Sequence, residues 1–230
     1  NMANVYGGCL SSVDDSQVNI TDSIFKNNNA VTGGGALYHT ETTVIQLYNS
    51  TFDTNISKNG GAILVLGSVT FSAYNCTFQN NSAFSGGGIV NTNSSSLELY
   101  HVEFTNNSAD YGGAFVSTHS YSPYSHCCTF TGNRALSGGA LYLAPLQVSS
   151  MGSDDTEEVI PTGNTFDFVN NTFSGNEAEL GGAIYFKSQV PVSTFGPLCT
   201  FHNNTANQFG GALFLTYQLV RFTYTASNFQ

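Results

Sequence analysis

Residues 104–115, with the sequence FTNNSADYGGAF, contain both motifs that decide the fold of this 230-residue chain. The first motif is Phe-x-x-Asn, and the second is a pair of glycines followed by a small residue and an apolar residue. The second glycines of successive pairs lie 27, 26, 26, 26, 26, 43 and 29 residues apart, and each Phe precedes the second glycine by 9 or 10 residues. The chain is therefore a repeat protein. The glycine pairs begin at Gly7, Gly34, Gly60, Gly86, Gly112, Gly138, Gly181 and Gly210, and the Phe-x-x-Asn motifs are Phe25/Asn28, Phe52/Asn55, Phe78/Asn81, Phe104/Asn107, Phe130/Asn133, Phe173/Asn176 and Phe201/Asn204.

The length of the repeat indicates a solenoid. A unit of about 26 residues is too short for a propeller blade, and no stretch shows the apolar period of an amphipathic helix. Between the motifs lie short apolar runs such as residues 62–66, bounded by Gly and Asn as strands are. We predict an all-β fold in which residues 1–230 form a single right-handed parallel β-helix of about eight coils, with one inserted loop at about 144–163. This loop contains the acidic run at residues 154–158.

The two motifs are expected to form structural ladders inside the solenoid. Equivalent positions on successive coils lie about 4.8 Å apart, which is the spacing between paired strands. The Phe rings can then stack on one another, and each Asn side-chain amide can donate a hydrogen bond to the Asn of the next coil. The glycine pair is expected to form a tight bend with φ values that other residues avoid.

Composition excludes several classes of function. The chain has 5 Lys and Arg against 15 Asp and Glu, so it has too few positive charges to bind nucleic acid. No apolar run approaches the roughly 20 residues that span a bilayer. Its five cysteines include no Cys-x-x-Cys pair, and strand alternation is expected to send the adjacent Cys127 and Cys128 to opposite faces. We therefore expect neither a metal site, even with His119 and His126 close by in sequence, nor a cofactor.

Nine Asn-x-Ser/Thr sequons suggest covalent N-glycans. Six of them fall in two columns of the repeat, three residues before Phe or two residues after it, and these columns are expected to face outward. Asn55 is the exception because it occupies the ladder position, where an inward side chain cannot carry a glycan. The predicted glycosylation sites are Asn19, Asn49, Asn75, Asn80, Asn93, Asn106, Asn170 and Asn203.

The combination of Gly-Gly-Ala-(Ile/Leu) with Phe-x-x-Asn resembles the repeats of the polymorphic outer membrane protein family of chlamydiae. The resemblance covers essentially the whole chain. In that family the repeats form a surface passenger, which is often an adhesin, joined to a membrane barrel. The resemblance thus implies a β-helix fold and an extracellular or cell-surface location.

Both ends of the chain keep the phase of the repeat. Residues 1–3 match the ladder Asn and the small residue that follows it, and Phe229 begins a further copy. We expect the chain to be part of a longer solenoid or the protomer of a fibre that associates head to tail. The leading hypothesis is an extracellular, N-glycosylated structural subunit or segment of a surface fibre or coat.

Two other functions are kept as alternatives. One is a surface adhesin with a glycan or cell-surface partner, and the other is a polysaccharide-active enzyme. An enzyme needs paired carboxylates or another catalytic constellation, and only Glu177 and Glu179 are expected to point outward together. Because no convincing constellation is found, we predict that the protein is not an enzyme.

Overall fold

The computed structural model describes residues 1–41, 43–93, 96–118, 123–144, 165–187, 192–216, 221–224 and 228–229. These residues form 28 β-strands and no helix. The strands wind into a parallel β-solenoid of about seven turns, which confirms the predicted fold class. The number of turns is close to the eight expected, since eight glycine pairs enclose seven intervals.

Three eight-stranded parallel sheets form the walls of the solenoid. Each coil contributes one strand to each sheet. Sheet 1 follows the glycine pairs and contains β2 (Leu10–Ser12), β6 (Leu37–His39), β9 (Ile63–Leu66), β12 (Ile89–Thr92), β15 (Phe115–Thr118), β18 (Leu141–Ala144), β22 (Ile184–Lys187) and β26 (Leu213–Thr216). Sheet 2 contains β3 (Gln17–Thr21), β7 (Val44–Tyr48), β10 (Thr70–Tyr74), β13 (Ser96–Tyr100), β16 (Tyr124–His126), β19 (Thr165–Val169), β23 (Val192–Phe195) and β27 (Arg221–Tyr224).

Sheet 3 carries the ladder Phe residues. It contains β4 (Ile24–Lys26), β8 (Thr51–Asp53), β11 (Thr77–Gln79), β14 (Glu103–Thr105), β17 (Thr129–Thr131), β20 (Thr172–Ser174), β24 (Thr200–His202) and β28 (Asn228–Phe229). Between sheets 3 and 1, two short pairs close the coil at either end of the stack. They are β1 (Met2–Ala3) with β5 (Asn29–Ala30), and β21 (Glu177–Leu180) with β25 (Thr205–Phe209).

The register of all three sheets follows the motifs. Phe104 pairs with Phe78 on one side and with Phe130 on the other. The 43-residue interval leaves this register intact, because Leu141 of β18 still pairs with Ile184 of β22. The described strands on either side of this interval therefore keep the register of the repeat. Apart from Ala144, the loop predicted at about 144–163 lies outside the described residues.

The interior contains an aromatic stack and an amide ladder. Ring centroids of successive Phe residues from Phe25 to Phe201 lie 4.7–5.0 Å apart, with interplanar angles of 13° or less. The Asn side chains from Asn28 to Asn204 donate or accept Nδ2–H···Oδ1 hydrogen bonds of 2.8–3.1 Å between successive coils. Each Nδ2 from Asn55 onward also donates to the carbonyl of a ladder Phe, as that of Asn107 does to Phe78 at 2.8 Å. The ladder amides are thereby paired without water.

The amide ladder continues across the 43-residue interval through Asn176. Its Oδ1 accepts from Asn133 Nδ2 at 3.1 Å, although 43 residues separate the two in sequence. Its own Nδ2 donates to Asn204 Oδ1 and to the carbonyl of Phe130, both at 2.8 Å. The side chain of Asn176 is 0% exposed. The inserted residues therefore interrupt neither the sheets nor the ladder.

The two glycines of each pair have different roles. Gly112 has φ of +58°, so it supplies the left-handed bend that the sequence predicts for the pair. Gly113 is not left-handed, and its role is close approach between coils. A Cβ atom on Gly113 would lie 2.2 Å from the carbonyl oxygen of Gly139 in the next coil. The second glycine is required because the neighbouring backbone fills the space of a side chain.

Candidate functional site

The ladder asparagines are not available as a surface site. Six of them are buried, with exposed fractions of 3% or less, and Asn204 near the end of the stack is half-buried. Their amides are used in hydrogen bonds between coils, so their role is structural and they cannot contact a partner or carry a glycan. The six buried ladder asparagines are Asn28, Asn55, Asn81, Asn107, Asn133 and Asn176.

The turn between sheets 2 and 3 places one residue per coil on the outer surface in the left-handed conformation. These residues form what we call the turn column, and their φ values lie between +47° and +69°. Asn is enriched in this conformation because its short amide tolerates it. All of its members are exposed except Cys127, which is partly buried. The turn column consists of Asp22, Asn49, Asn75, His101, Cys127, Asn170 and Leu198.

All eight asparagines predicted to carry glycans have exposed side chains. Asn49, Asn75 and Asn170 belong to the turn column, and their amides make contacts along it. Asn49 Nδ2 donates to Asp22 Oδ1 at 3.2 Å, and Asn75 Nδ2 lies 3.4 Å from Asn49 Oδ1. The exposure of these asparagines fits glycan attachment, and the hydrogen bonds along the turn column fit a role in turn geometry. Glycosylation stays a prediction.

The second sequon column lies two residues after the ladder Phe. Asn80, Asn106 and Asn203 are left-handed there, with φ of +54° to +55°. Asn80 Nδ2 donates to Asp53 Oδ1 at 3.2 Å. The side-chain hydrogen bond from Lys26, whose Nζ lies 2.7 Å from Oδ2, holds the pKa of Asp53 at about 2. An ion pair between Lys26 and Asp53 therefore lies beside the sequon at Asn80.

Asn55 occupies the interior, unlike the other sequon asparagines. Its side chain is 0% exposed. Nδ2 donates to Asn81 Oδ1 at 3.0 Å and to the carbonyl of Phe25 at 2.9 Å, so both amide hydrogens are in use. A glycan cannot be attached to this nitrogen in the folded chain.

Two residues of the turn column and the last residue of β16 together offer three metal-ligating side chains. His101, His126 and Cys127 each offer one ligand atom, and these three atoms lie within 4.8 Å of one another. The two imidazole rings meet edge to face with centroids 6.1 Å apart. The neighbouring Asn170 Nδ2 lies 3.0 Å from Cys127 Sγ. We refer to His101, His126 and Cys127 as the His–Cys cluster.

Sequence reasoning missed this cluster for two reasons. His101 belongs to the preceding coil, 26 residues before Cys127, and so lies outside the stretch 119–128 that contains the other candidate ligands. Strand alternation correctly places Cys127 and Cys128 on opposite faces, but it gives no information on the side chains that Cys127 meets in the neighbouring coil. The signal was present, because His101 and Cys127 occupy the same position of the repeat. His119 lies outside the described residues.

The remaining cysteines are buried or isolated. All five are free thiols, and Cys76, Cys128 and Cys199 lie in the core. Burial raises the pKa of each of these three thiols, to about 12 for Cys128. Cys9 is exposed. The core cysteines act as small apolar residues. Cys9 and Cys127 are the thiols of the described chain that solvent can reach.

The acidic side chains considered for catalysis do not form a carboxylate pair. Glu177 is ion-paired with Arg134 of the preceding coil. Glu179 Oε2 accepts a hydrogen bond from Gln208 at 3.2 Å. A cavity among the described residues lies between the sheets and is lined by residues that include Leu97, Phe130 and Phe166. No carboxylate, His or Cys lines this cavity, so it offers no acid–base chemistry.

The fold and its ladders define a parallel β-solenoid built from Phe, Asn and Gly-Gly columns. Four stretches of the chain match the family model described as the Chlamydia polymorphic membrane protein repeat, at residues 22–40, 128–144, 172–187 and 198–216. The resemblance to this repeat is therefore confirmed. No curated protein and no solved structure matches the chain. Within the part of the chain that the structure describes, no helix is long and apolar enough to cross a membrane.

Proposed function

We propose that this chain is a rigid, surface-displayed β-solenoid with a structural role outside the cell. The observation that carries the proposal is the unbroken pairing of ladder side chains from coil to coil. The repeat match supports a surface location, since the matched repeat is described as that of a polymorphic membrane protein and the resemblance to this family implies a surface passenger. The location itself is tested by protease shaving of intact cells, followed by detection of the chain on the surface.

The ladders make bending of the solenoid costly. Opening one coil from the next separates a Phe pair and leaves amide groups such as Asn107 Nδ2 without their acceptors. A stacked aromatic pair contributes about 1 kcal/mol beyond its buried area, and each buried amide left unpaired costs about 1–3 kcal/mol. Several such terms act at every coil boundary. A rod of this kind suits a spacer, fibre or coat better than an enzyme whose mechanism needs movement.

We further propose that the exposed sequons carry N-glycans. Support comes from their accessibility, since all eight predicted sites are exposed and Asn55 is not. The test is expression through a eukaryotic secretory pathway, enzymatic release of glycans in heavy-oxygen water, and mass spectrometry of each site. Mass labels at Asn49, Asn75 and Asn170 with none at Asn55 support the proposal. Absence of label from every site in both columns contradicts it and leaves turn geometry as the reason for the asparagines.

We propose that the rod is extended along its axis, either by self-association or by continuation in a longer chain. β3 forms one edge of sheet 2. The N–H of Asp22 donates to Tyr48 of β7 at 3.1 Å, and N–H groups of a parallel strand alternate between its two sides. The N–H of Asn19 therefore points away from β7. Exposed strand edges of this kind pair readily with another chain.

A proline at the edge strand tests this association. Asn19→Pro removes a hydrogen-bond donor that faces outward, while Asn19→Ala is the matched control that loses the same sequon and keeps the N–H. Electron microscopy and analytical ultracentrifugation are expected to show fibres or axial oligomers for wild type and Asn19→Ala, and monomers for Asn19→Pro. Monodisperse single rods for the wild-type chain would contradict the fibre proposal.

An adhesin is the second candidate, and the outer face of sheet 1 favours it. An apolar row that includes Leu64, Val90 and Tyr142 packs on this face and is itself buried, so only side chains that lie over the row are available for contact. Tyr111 lies against this row, with its ring centroid 5.3 Å from that of Tyr142, and is 38% exposed. We expect Tyr111→Ser to weaken binding to target cells if this face makes the contact. Binding unchanged from wild type counts against the adhesin.

We propose no enzymatic activity for the chain. The ion pair of Glu177 with Arg134 and the apolar lining of the interior cavity support this view. A screen against acidic and neutral polysaccharides tests it, with Glu177→Gln and Glu179→Gln as the variants. Turnover by the wild-type chain that either substitution abolishes overturns it.

A further inference from the structure

We propose that the His–Cys cluster binds one thiophilic metal ion of the zinc class on the outer surface of the solenoid. Its three ligands come from two adjacent coils. His101 lies in the turn after β13, His126 ends β16, and Cys127 follows directly in the next turn. The site exists only when the solenoid is folded, because winding of the chain brings residues 26 positions apart into contact.

The identity of the three residues is the first argument. In the coils on either side, the turn column carries Asn75 and Asn170 instead of His101 and Cys127. In sheet 2, His126 pairs in register with Tyr100, which continues a stack of tyrosines. At this point of the solenoid three departures from the repeat lie close together, and each is a nitrogen or sulfur ligand, whereas the departures at Asp22 and Leu198 lie in other coils. Scattered exceptions to a repeat would not be expected to converge on one point.

The geometry is the second argument. Metal–sulfur and metal–nitrogen distances of about 2.3 and 2.0–2.1 Å at tetrahedral angles separate the donor atoms of a zinc site by roughly 3.5 Å. Cys127 Sγ lies 3.9 Å from His126 Nε2, and all three donor atoms lie within 4.8 Å of one another. Closing the remaining distance requires a movement of roughly 1 Å, which rotation of surface side chains supplies.

The chemistry of the donors selects the ion. A thiolate with two imidazoles suits zinc and copper, whereas magnesium and calcium prefer oxygen ligands. Asn170 Nδ2 lies 3.0 Å from Cys127 Sγ, where it orients the sulfur as outer hydrogen bonds do in metal sites. His101 is exposed, so the fourth coordination position faces solvent. That position can accept water or a donor from another molecule.

The repeat itself provides variants that keep the fold. His101→Asn and Cys127→Asn restore the residue found at the same turn in neighbouring coils, and His126→Tyr restores the tyrosine row. Cys9→Ser is the matched control, because Cys9 is an exposed thiol outside the cluster. Circular dichroism and thermal unfolding of each variant check that the solenoid is intact.

Zinc titration of the reduced chain, by calorimetry and by competition with a chromophoric chelator, tests the proposal. We expect one zinc ion per wild-type chain, unchanged affinity in Cys9→Ser, and at least a 100-fold loss in each of the three cluster variants. Cobalt, used as a spectroscopic substitute, is expected to give a thiolate charge-transfer band that Cys127→Asn abolishes. Failure of the wild-type chain to bind zinc, or equal affinity in wild type and folded Cys127→Asn, overturns the proposal.

Discussion

Replacement of Asn107 by Leu tests whether the amide ladder holds the coils together. Asn107 lies in the middle of the ladder and is 1% exposed. Its Nδ2 donates to Asn133 Oδ1 at 3.0 Å and to the carbonyl of Phe78 at 2.8 Å. Its Oδ1 accepts from the backbone N–H and from Nδ2 of Asn81, both at 3.0 Å. Leu has the same number of heavy side-chain atoms in the same branched arrangement, and it can make none of these four hydrogen bonds.

The expected loss of stability follows from the groups left without partners. Asn133 Oδ1 still accepts from the backbone N–H of residue 107, so it stays paired. Asn81 loses the acceptor of its backbone N–H and the acceptor of one hydrogen of its side-chain amide. The Phe78 carbonyl loses the hydrogen bond from the side chain of residue 107. Each buried unpaired group costs about 1–3 kcal/mol, so we expect the free energy of unfolding to fall by about 4 kcal/mol. Additional apolar contacts of Leu offset only part of this loss.

Urea denaturation followed by circular dichroism measures the change, and amide hydrogen exchange locates it at Asn81. Asn19→Leu is the control, since it makes the same substitution at an exposed strand position and should shift stability by no more than about 0.5 kcal/mol. A loss below about 1 kcal/mol in a chain that keeps its fold would refute the reasoning. It would mean that water or relaxation of the coil satisfies the orphaned groups.

An isosteric variant separates hydrogen bonding from packing. Asn107→Asp keeps the shape of the side chain but replaces the donor nitrogen with an oxygen that faces the acceptors Phe78 O and Asn133 Oδ1. Burial and these acceptors raise the pKa of the new carboxyl group above its usual value. The folded state then binds the proton more tightly than the unfolded state, so this variant should gain stability as pH falls through that raised pKa. A variant whose stability does not depend on pH would argue for packing alone.

Three further predictions concern the wall of the solenoid and its thiols. Burial lowers the pKa of His39 from 6.5 to about 4, so the folded state binds this proton less tightly than the unfolded state. The free energy of unfolding, measured by urea titration, should therefore fall by up to about 3 kcal/mol as the pH is lowered from 6.5 to 4, and His39→Leu should remove this dependence. Gly113→Ala should lower the melting temperature more than Gly175→Ala, because a Cβ on Gly113 meets the backbone of the next coil, whereas a Cβ on Gly175 meets no atom within 4 Å and is disfavoured only by the φ of +61°. Alkylation of the native chain should label Cys9 and Cys127 only, with all five thiols labelled after unfolding.

The sheets and the two ladders could be predicted from the sequence because identical residues must stack. A parallel solenoid places position 104 beside positions 78 and 130, so a Phe column in the sequence becomes a Phe stack in space. The repeat length then sets the register of every strand without further information. The excess over one repeat predicts a loop near 144–163 in the same way, and apart from Ala144 that loop lies outside the described residues.

The separate roles of the paired glycines could not be predicted from their spacing. Because both residues of a pair are glycine, either one could supply the left-handed bend. The distinction depends on which one faces the adjacent coil. The Gly113 position is closed by the Gly139 carbonyl, and this contact exists only once the coils are stacked at their final separation.

The His–Cys cluster shows where a solenoid sequence must be read across coils and not along the chain. Neighbours in sequence are the wrong residues in which to look for a second ligand beside Cys127, because Cys128 points into the core and is 0% exposed. Residues one repeat apart are the true neighbours, and the left-handed turn brings Cys127 to the same outer surface as His126. A search for departures from each column would have found His101, His126 and Cys127 together. In a fold whose interior is fixed by repetition, such departures on the surface are the places where an individual function can be added.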